Sequence, residues 1–184
     1  MKRFAALMTM FAGVCLGAEP AAPLPTASIY QLDATLTDQD GRAHGLDLYR
    51  GHPVLITMFY ASCPAACPLI IDTLRATEKN LTEAQRAELR VLMISIDPQR
   101  DTVASLRSLA EQRRIDTSRW TLARAESVDV RTIAALLNVQ YRQLPNGEFN
   151  HSSVITLLSP QGEIEVASAK LGTPDDALLA QLRD

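Results

Sequence analysis

Two continuous apolar runs mark the middle of the chain: PVLITMFY at 53–60 and RVLMISID at 90–97. Both runs are rich in β-branched and long aliphatic residues, and neither alternates regularly with polar positions. Such runs are typical of central strands that are buried on both faces. A third run, WTLARA at 120–125, predicts a short strand or a sheet edge.

Helical patterns follow these strands. LIIDTLRATEKNL places apolar and small residues along one side of a predicted helix, and LTEAQRAEL continues the helical signal. DTVASLRSLAEQRRI predicts a helix capped by Asp101 or Thr102, and DVRTIAALLNV predicts another. A terminal helix is expected from about Pro174.

Two β-hairpins complete the pattern. ATLTDQDGRAHGLDL turns at Asp40 and Gly41, and SVITLLSPQGEIEVAS turns through residues 159–162. Strands that alternate with helices and end in a hairpin and a helix predict an α/β sandwich around a mixed sheet. No internal repeat or second domain is indicated.

Composition agrees with one globular domain, because 184 residues at 47% hydrophobic and 21% charged can bury a sizeable core. The formal net charge is −3, and no run of lysine or arginine forms a basic patch. The sequence therefore offers no positively charged surface that would attract nucleic acid, and we expect no nucleic-acid partner.

The N-terminus predicts a secretory signal peptide over 1–18: Lys2 and Arg3 precede the apolar stretch FAALMTMFAGVCL, with cleavage near Ala18. A linker over 19–27 and one domain over 28–184 follow. The expected location is the periplasm or another extracytoplasmic space.

Two alternatives to cleavage stay open. The segment could be retained as an anchor, although its apolar stretch is shorter than the ~20 residues that span a bilayer. Cys15 could be lipidated, but it follows Val14 rather than the small residue usual before a lipoprotein cysteine.

Without Cys15, the mature chain keeps Cys63 and Cys67, which are separated by three residues and each followed by proline. A structural disulfide across so short a loop would constrain the unfolded chain little. The pair instead stands after a buried strand and at a helix start, where reactive groups gather and thiolates are favoured. A thiolate is both a nucleophile and a metal ligand.

The spacing of four allows both sulfurs to meet one ion or to close a disulfide, because residues at i and i+4 share a helix face. Pro68 complicates the geometry. Either the first helical turn is distorted, or CPAAC is a loop and Pro68 is the first helical residue, where proline fits well.

A third metal ligand would have to be one of three histidines. His44 follows the Asp-Gly turn and His52 lies in the RGHP turn, so both are expected to be solvent-facing or structural. His151 lies in the polar loop GEFNHSS directly before an apolar strand, which makes it the best candidate of the three.

Three segments are distinctive in combination: DGRAHGLDLYRGHPVLITMFYASCPAACPLIIDTL, ISIDPQRDT and NHSSVITLLSPQG. Together they resemble the Sco (SenC) family of copper-binding, thioredoxin-fold assembly proteins over nearly the whole mature chain. The resemblance implies a thioredoxin-like α/β fold, with a central mixed β-sheet flanked by helices and an N-terminal β-hairpin extension. It also implies that Cys63, Cys67 and His151 are metal ligands.

The implied metal is copper. Thioredoxin-like proteins usually hold a cis-proline in the loop before the late hairpin, but here that loop reads Phe149, Asn150, His151 and Ser152. An imidazole can therefore face the sulfurs. Two thiolates and one imidazole suit Cu(I) and accept Cu(II) with an added ligand, whereas structural zinc usually takes a fourth protein ligand.

The resemblance implies a metallochaperone that passes copper to the binuclear (CuA) centre of a respiratory oxidase. The expected partner is the apo copper-site subunit or a similar cuproprotein, with a copper donor or thiol reductant as further partners. The alternative is a thiol-disulfide oxidoreductase in which Cys63 attacks and Cys67 resolves. A peroxidase is a third, weaker hypothesis.

The remaining motifs have simpler interpretations. IDPQRDT is interpreted as a strand end and helix cap, in which Asp97 and Arg100 can form an ion pair that shapes the site. Met58 and Met93 lie inside predicted strands and are expected to fill the core.

Overall fold

The computed structural model describes residues 22–63 and 66–183. The expected signal peptide, Cys15 and the first part of the expected linker, 19–21, lie outside the described residues. The described strands are β1 (Leu36–Asp38), β2 (Ala43–His44), β3 (Val54–Phe59), β4 (Arg90–Ser95), β5 (Trp120–Ala125), β6 (Tyr141–Gln143), β7 (Phe149–His151), β8 (Ile155–Leu158) and β9 (Ile164–Ser168).

The described helices are α1 (Ala66–Lys79), α2 (Glu83–Glu88), α3 (Val103–Gln112), α4 (Ser127–Leu136) and α5 (Asp176–Arg183). Two 3-10 turns, Ile29–Gln31 and Leu46–Tyr49, flank the first hairpin. Within the described residues, no helix has both the length and the apolar character needed to cross a membrane.

A seven-stranded mixed sheet forms the centre, in the order β2-β1-β5-β4-β3-β8-β9. Strands β3, β4 and β5 run parallel. Strand β8 pairs antiparallel with β3, and β9 pairs antiparallel with β8. The β1–β2 hairpin extends the far edge through the antiparallel pairing of β1 with β5. Helices cover both faces of this sheet, so the expected thioredoxin-like α/β fold with an N-terminal hairpin is confirmed.

The apolar run of β3 is buried on both faces, as its sequence predicts. Val54, Ile56 and Met58 join a core formed with α4 and the N-terminal turns, while Leu55 and Phe59 join a core formed with α1, α3 and α5. Because alternate side chains point to opposite faces, one strand anchors both cores. Met58, like Met93 of β4, fills the core as expected.

One sequence prediction, the loop at His151, is wrong, and the structure decides between the alternatives that two other predictions left open. WTLARA is not a sheet edge, because β5 lies between β1 and β4. The loop expected to hold His151 instead forms a separate two-stranded ribbon, β6–β7. The α3 cap is Thr102, whose hydroxyl accepts the Ser105 N–H at 3.2 Å, whereas Asp101 serves another purpose.

Helix α1 begins at Ala66, so Pro68 is its third residue. The N–H groups of a first helical turn have no partner within the helix. A proline there sacrifices no hydrogen bond, and the helix can start before Pro68 without the cost of a helix-interior proline.

Residues 28–30 pack on the turn between β8 and β9. Ile29 N–H donates to the Gly162 carbonyl at 2.9 Å, and Ser28 Oγ donates to the Gln161 carbonyl at 2.5 Å. Gly162 has a φ of +84°, and a Cβ at this position would lie 2.6 Å from the Tyr30 ring. Both the backbone conformation and the close approach require glycine here.

We predict that Gly162→Ala lowers the free energy of unfolding more than Gly172→Ala, measured by urea denaturation. Gly172 has a nearly identical φ of +85° with no atom within 4 Å of an added Cβ. Gly172→Ala should therefore cost about 1–2 kcal/mol from backbone strain alone. Gly162→Ala should cost about 1–3 kcal/mol more because of the clash. Equal losses would contradict the close packing of Tyr30 on this turn.

Candidate metal centre

Three side chains converge beyond the carboxyl end of β3. Cys63, Cys67 and His151 each offer a ligand atom, and these atoms all lie within 4.8 Å of one another. Cys63 and His151 are partly buried, whereas Cys67 is only 3% exposed. The sequence thus named three residues that the fold brings together. Among residues 22–63 and 66–183, this is the one such group of three or more potential ligands.

The two cysteines are positioned by the turn from β3 into α1. The Cys63 N–H donates to the Tyr60 carbonyl at 3.1 Å, and the Cys67 thiol donates to the same carbonyl at 3.4 Å. The backbone N–H of Cys67 points at the Cys63 sulfur, 3.4 Å away. An N–H in the first turn of a helix stabilises negative charge, so this contact supports Cys63 as a thiolate ligand or nucleophile.

The two sulfurs differ in their surroundings. Burial raises the pKa of the Cys67 thiol well above its usual range, and the neighbouring Cys63 adds to this effect. Cys67 therefore holds its proton at neutral pH until a metal or a reaction removes it. The sulfurs are not joined in a disulfide but are close enough to form one after a small movement.

His151 presents one nitrogen to the site. Its Nδ1 lies 3.2 Å from the Ser152 carbonyl oxygen, which can only accept a hydrogen bond, so the proton belongs on Nδ1 and the lone pair on Nε2. Nε2 is buried and has no hydrogen-bond partner among the residues that the structure describes. Burial also lowers the pKa of His151, which keeps the imidazole neutral, as a metal ligand must be.

The ribbon that carries His151 is held by aromatic and polar contacts. The Tyr60 ring lies edge-on to the His151 ring, with 5.9 Å between centroids, and 5.5 Å from the Phe149 ring. The Tyr60 hydroxyl donates to a Glu148 carboxylate oxygen at 2.7 Å. These contacts join the end of β3 to β7.

Arg100 also holds the β6–β7 ribbon in place, through contacts with Gly147 and Phe149. Its guanidinium donates to the Asp97 carboxylate and to the Gly147 carbonyl, and it lies 5.8 Å from the Phe149 ring centroid. The ion pair predicted between Asp97 and Arg100 is therefore confirmed. The IDPQRDT segment therefore does more than end β4 and cap α3, because Arg100 also holds the β6–β7 ribbon in position.

Asp101 is the site residue whose role the sequence did not reveal. Its buried carboxylate accepts the Ser95 hydroxyl at 2.5 Å and the Ala61 N–H at 2.9 Å, which fixes the chain just before Cys63. Burial raises the pKa of Asp101 from its usual value. In the sequence, only the position of Asp101 after a buried strand could have indicated a role in the site, because functional groups gather at the carboxyl ends of such strands.

The other two histidines are not part of this group. His44 Nδ1 lies 2.9 Å from the Gly45 carbonyl oxygen, and its ring packs edge-on against Tyr49. His52 Nδ1 lies 3.3 Å from a Glu88 carboxylate oxygen. His44 Nε2 is also buried without a partner in the described part of the chain, but it belongs to no group of three potential ligands there.

The arrangement can support two kinds of chemistry. Two sulfurs and one imidazole form a soft set of three ligands, one fewer than closed structural zinc sites use. The same sulfurs form a dithiol that can be oxidised to a disulfide. In both cases Cys63 is the more accessible sulfur and Cys67 the buried one.

Known proteins are similar to this chain in sequence and in fold. The SCO1/SenC family model matches residues 25–184. Protein SCO2 homolog, mitochondrial, of Bos taurus is 30% identical over 146 residues, covering 76% of this chain and 53% of that protein. The chain therefore spans about half the length of this bovine relative.

Solved structures of other proteins also share the fold. The structure of Bradyrhizobium japonicum ScoI with copper bound is 25% identical with a TM-score of 0.64, covering 81% of this chain and 94% of that one. A second structure is that of BsSco, a member of the Sco family of cytochrome c oxidase assembly proteins, and it identifies a disulfide switch in BsSco. BsSco is 20% identical to this chain. Its TM-score is 0.67, covering 88% of this chain and 96% of that one. Because the family model extends over all but the N-terminal segment, the chain belongs to the SCO1/SenC family.

Proposed function

We propose that this protein is an extracytoplasmic copper metallochaperone. It binds one copper ion through Cys63, Cys67 and His151 and delivers it to the binuclear (CuA) centre of a respiratory oxidase. The observation that carries the proposal is the convergence of three soft ligand atoms within 4.8 Å, with the Nε2 of His151 buried and lacking a partner in the described residues.

The relatives support both the metal and the recipient. Bradyrhizobium japonicum ScoI has been solved with copper bound, and BsSco belongs to a family of cytochrome c oxidase assembly proteins. The same cargo and a similar recipient are proposed for this chain. The extracytoplasmic location rests on the signal peptide predicted over 1–18.

Copper is the cargo, and the residues differ in how they hold it. His151 is already neutral, so it offers its lone pair without releasing a proton. Cys67 must lose its proton when copper binds. Release proceeds by ligand exchange: the partner's ligands replace the partly buried His151 and Cys63 first, and the buried Cys67 is released last.

His151→Ala should weaken copper binding, so that the purified variant retains less than one copper per protein. We expect the reduced wild-type protein to bind one copper and its Cu(II) form to show a thiolate charge-transfer band. In the variant the copper content should fall below one per protein and the band should be lost, because two sulfurs without the third ligand hold copper less firmly. Metal analysis of anaerobically purified protein and absorption spectroscopy measure this, with His52→Ala as the matched control. Full copper and an intact band in His151→Ala would refute the role of His151 as a ligand.

Copper affinity should rise with pH. Copper competes with the proton on Cys67, whose pKa is raised by burial, so apparent Cu(I) affinity should increase at least about tenfold per pH unit between about pH 6 and 8. The imidazole has a lowered pKa and releases no proton in that range. His151→Ala should therefore weaken binding but keep the slope. A pH-independent affinity, measured by competition with a chelator of known protonation, would contradict this assignment.

A thiol-disulfide oxidoreductase is the second candidate, favoured by the position of the Cys67 N–H, which points at the accessible Cys63 sulfur. The Cys63 thiolate would attack a partner disulfide, form a mixed disulfide and release one partner thiolate. Cys67 would then lose its proton and attack the Cys63 sulfur, which releases the second partner thiolate. Two electrons pass to the partner, and an external thiol must reduce the new Cys63–Cys67 disulfide.

The two cysteines should behave differently toward 5,5′-dithiobis(2-nitrobenzoate). The reduced mature chain, which lacks Cys15, should release two thionitrobenzoates as the Cys63–Cys67 disulfide closes. Cys67→Ala should release one and keep a stable adduct on Cys63. Cys63→Ala should react slowly, because Cys67 is buried and its pKa is raised. Equal rates in the two variants would argue against the assigned order, and the reduction potential of the pair decides whether the reductase role is feasible.

A further inference from the structure

Tyr60 touches every part of the metal centre. Its carbonyl accepts hydrogen bonds from the Cys63 N–H and the Cys67 thiol, and its phenol also interacts with the Cys63 side chain. Its ring lies edge-on to His151. Its hydroxyl donates to Glu148, which directly precedes β7, the strand that carries His151. One side chain thus connects the cysteine turn with the histidine ribbon.

We propose that the hydrogen bond from Tyr60 to Glu148 is a strap that positions His151 against the two sulfurs. Tyr60 and Glu148 are positioning residues, since neither supplies a ligand atom. The inference rests on the proposed function, because it assumes that His151 completes a copper site with Cys63 and Cys67.

The ribbon needs such a strap because it lies outside the main sheet. Within the described residues, β6 and β7 pair with each other and with no other strand. Their place is therefore set by side-chain contacts, notably those of Tyr60 and Arg100, rather than by a continuous backbone ladder. A histidine at the end of β7 moves with the ribbon, so its distance to the sulfurs depends on these contacts.

Burial singles out the tyrosine hydroxyl. Tyr60 is 3% exposed, and a buried hydroxyl is unfavourable unless it is hydrogen-bonded. Phenylalanine would supply the same ring contacts with His151 and Phe149 without that cost. Tyrosine adds the interaction of its phenol with the Cys63 side chain and the 2.7 Å bond to the Glu148 carboxylate. The second is the stronger kind, because its acceptor is charged.

The test compares Cu(I) affinities by competition with bathocuproine disulfonate. Tyr60→Phe and Glu148→Ala should each weaken binding by about 10- to 100-fold, the usual loss when a partner that orients a metal ligand is removed. Glu148→Gln keeps an acceptor oxygen and should lose less. Tyr141→Phe, which also removes a hydroxyl from a ring that packs on Phe149, should match the wild type.

A double-mutant cycle separates positioning from general destabilisation. If Tyr60 acts through His151, Tyr60→Phe should have no effect on the affinity of a protein that already carries His151→Ala. An equal loss in both backgrounds would overturn the proposal, because Tyr60 would then act on the cysteines or on the fold. Unchanged affinity in Tyr60→Phe and Glu148→Ala would overturn it as well.

Hydrogen exchange of the metal-free protein tests the strap without copper. Tyr60→Phe and Glu148→Ala should raise the exchange of the β6–β7 amides by about tenfold, while α3 exchanges as in the wild type. Ribbon exchange at the wild-type rate would refute the strap. If the wild-type protein binds no copper, the proposed function fails, and the exchange measurement still decides whether the strap exists.

Discussion

The site depends on keeping a neutral imidazole nitrogen buried beside two sulfurs that come from a distant part of the sequence. Such a nitrogen has lost its water without gaining a protein hydrogen bond in the described structure, which is unfavourable by itself. The surrounding contacts must therefore hold His151 in place. The Ser152 carbonyl orients the ring, and the ribbon that carries it is fixed to the end of β3. In the proposed function, copper supplies the missing partner of Nε2.

Two neighbouring residues of the segment after β4 serve the two halves of the site. Arg100 holds the His151 ribbon through the Gly147 carbonyl, and Asp101 holds the cysteine turn through the Ala61 N–H. Because they are adjacent in sequence, one short segment fixes both halves of the site. Burial of Asp101 raises its pKa, so the ionised form is less favourable here than in water. The fold tolerates this unfavourable burial of the Asp101 carboxylate because its hydrogen bonds to Ser95 and Ala61 define the geometry of the site.

The sequence predicted what local pattern and chemistry determine. The strand β3 was evident because burial on both faces leaves a continuous apolar run, and the two cysteines stood out by their place after it. What the sequence missed or left open depends on pairing between segments that are distant in the chain. The position of β5 inside the sheet requires β1 to pair with its free side, and the β6–β7 ribbon consists of short, largely polar strands without a hydrophobic period. His151 was identified by family resemblance more than by its own surroundings, and the two acceptor contacts of Asp101 become visible only in three dimensions.

The asymmetry of the cysteines links the two candidate functions. Cys63 is accessible and receives an N–H from the first turn of α1, whereas Cys67 is buried and retains its proton. In metal transfer this makes Cys63 the sulfur that exchanges early and Cys67 the one that holds copper longest. In thiol exchange the same difference makes Cys63 the attacking sulfur and Cys67 the resolving one. Both functions need the reduced pair, so a Cys63–Cys67 disulfide prevents copper binding and thiol exchange alike until a thiol reduces it. Copper bound to the two sulfurs in turn blocks their attack on a disulfide, so a single molecule cannot perform both functions at once.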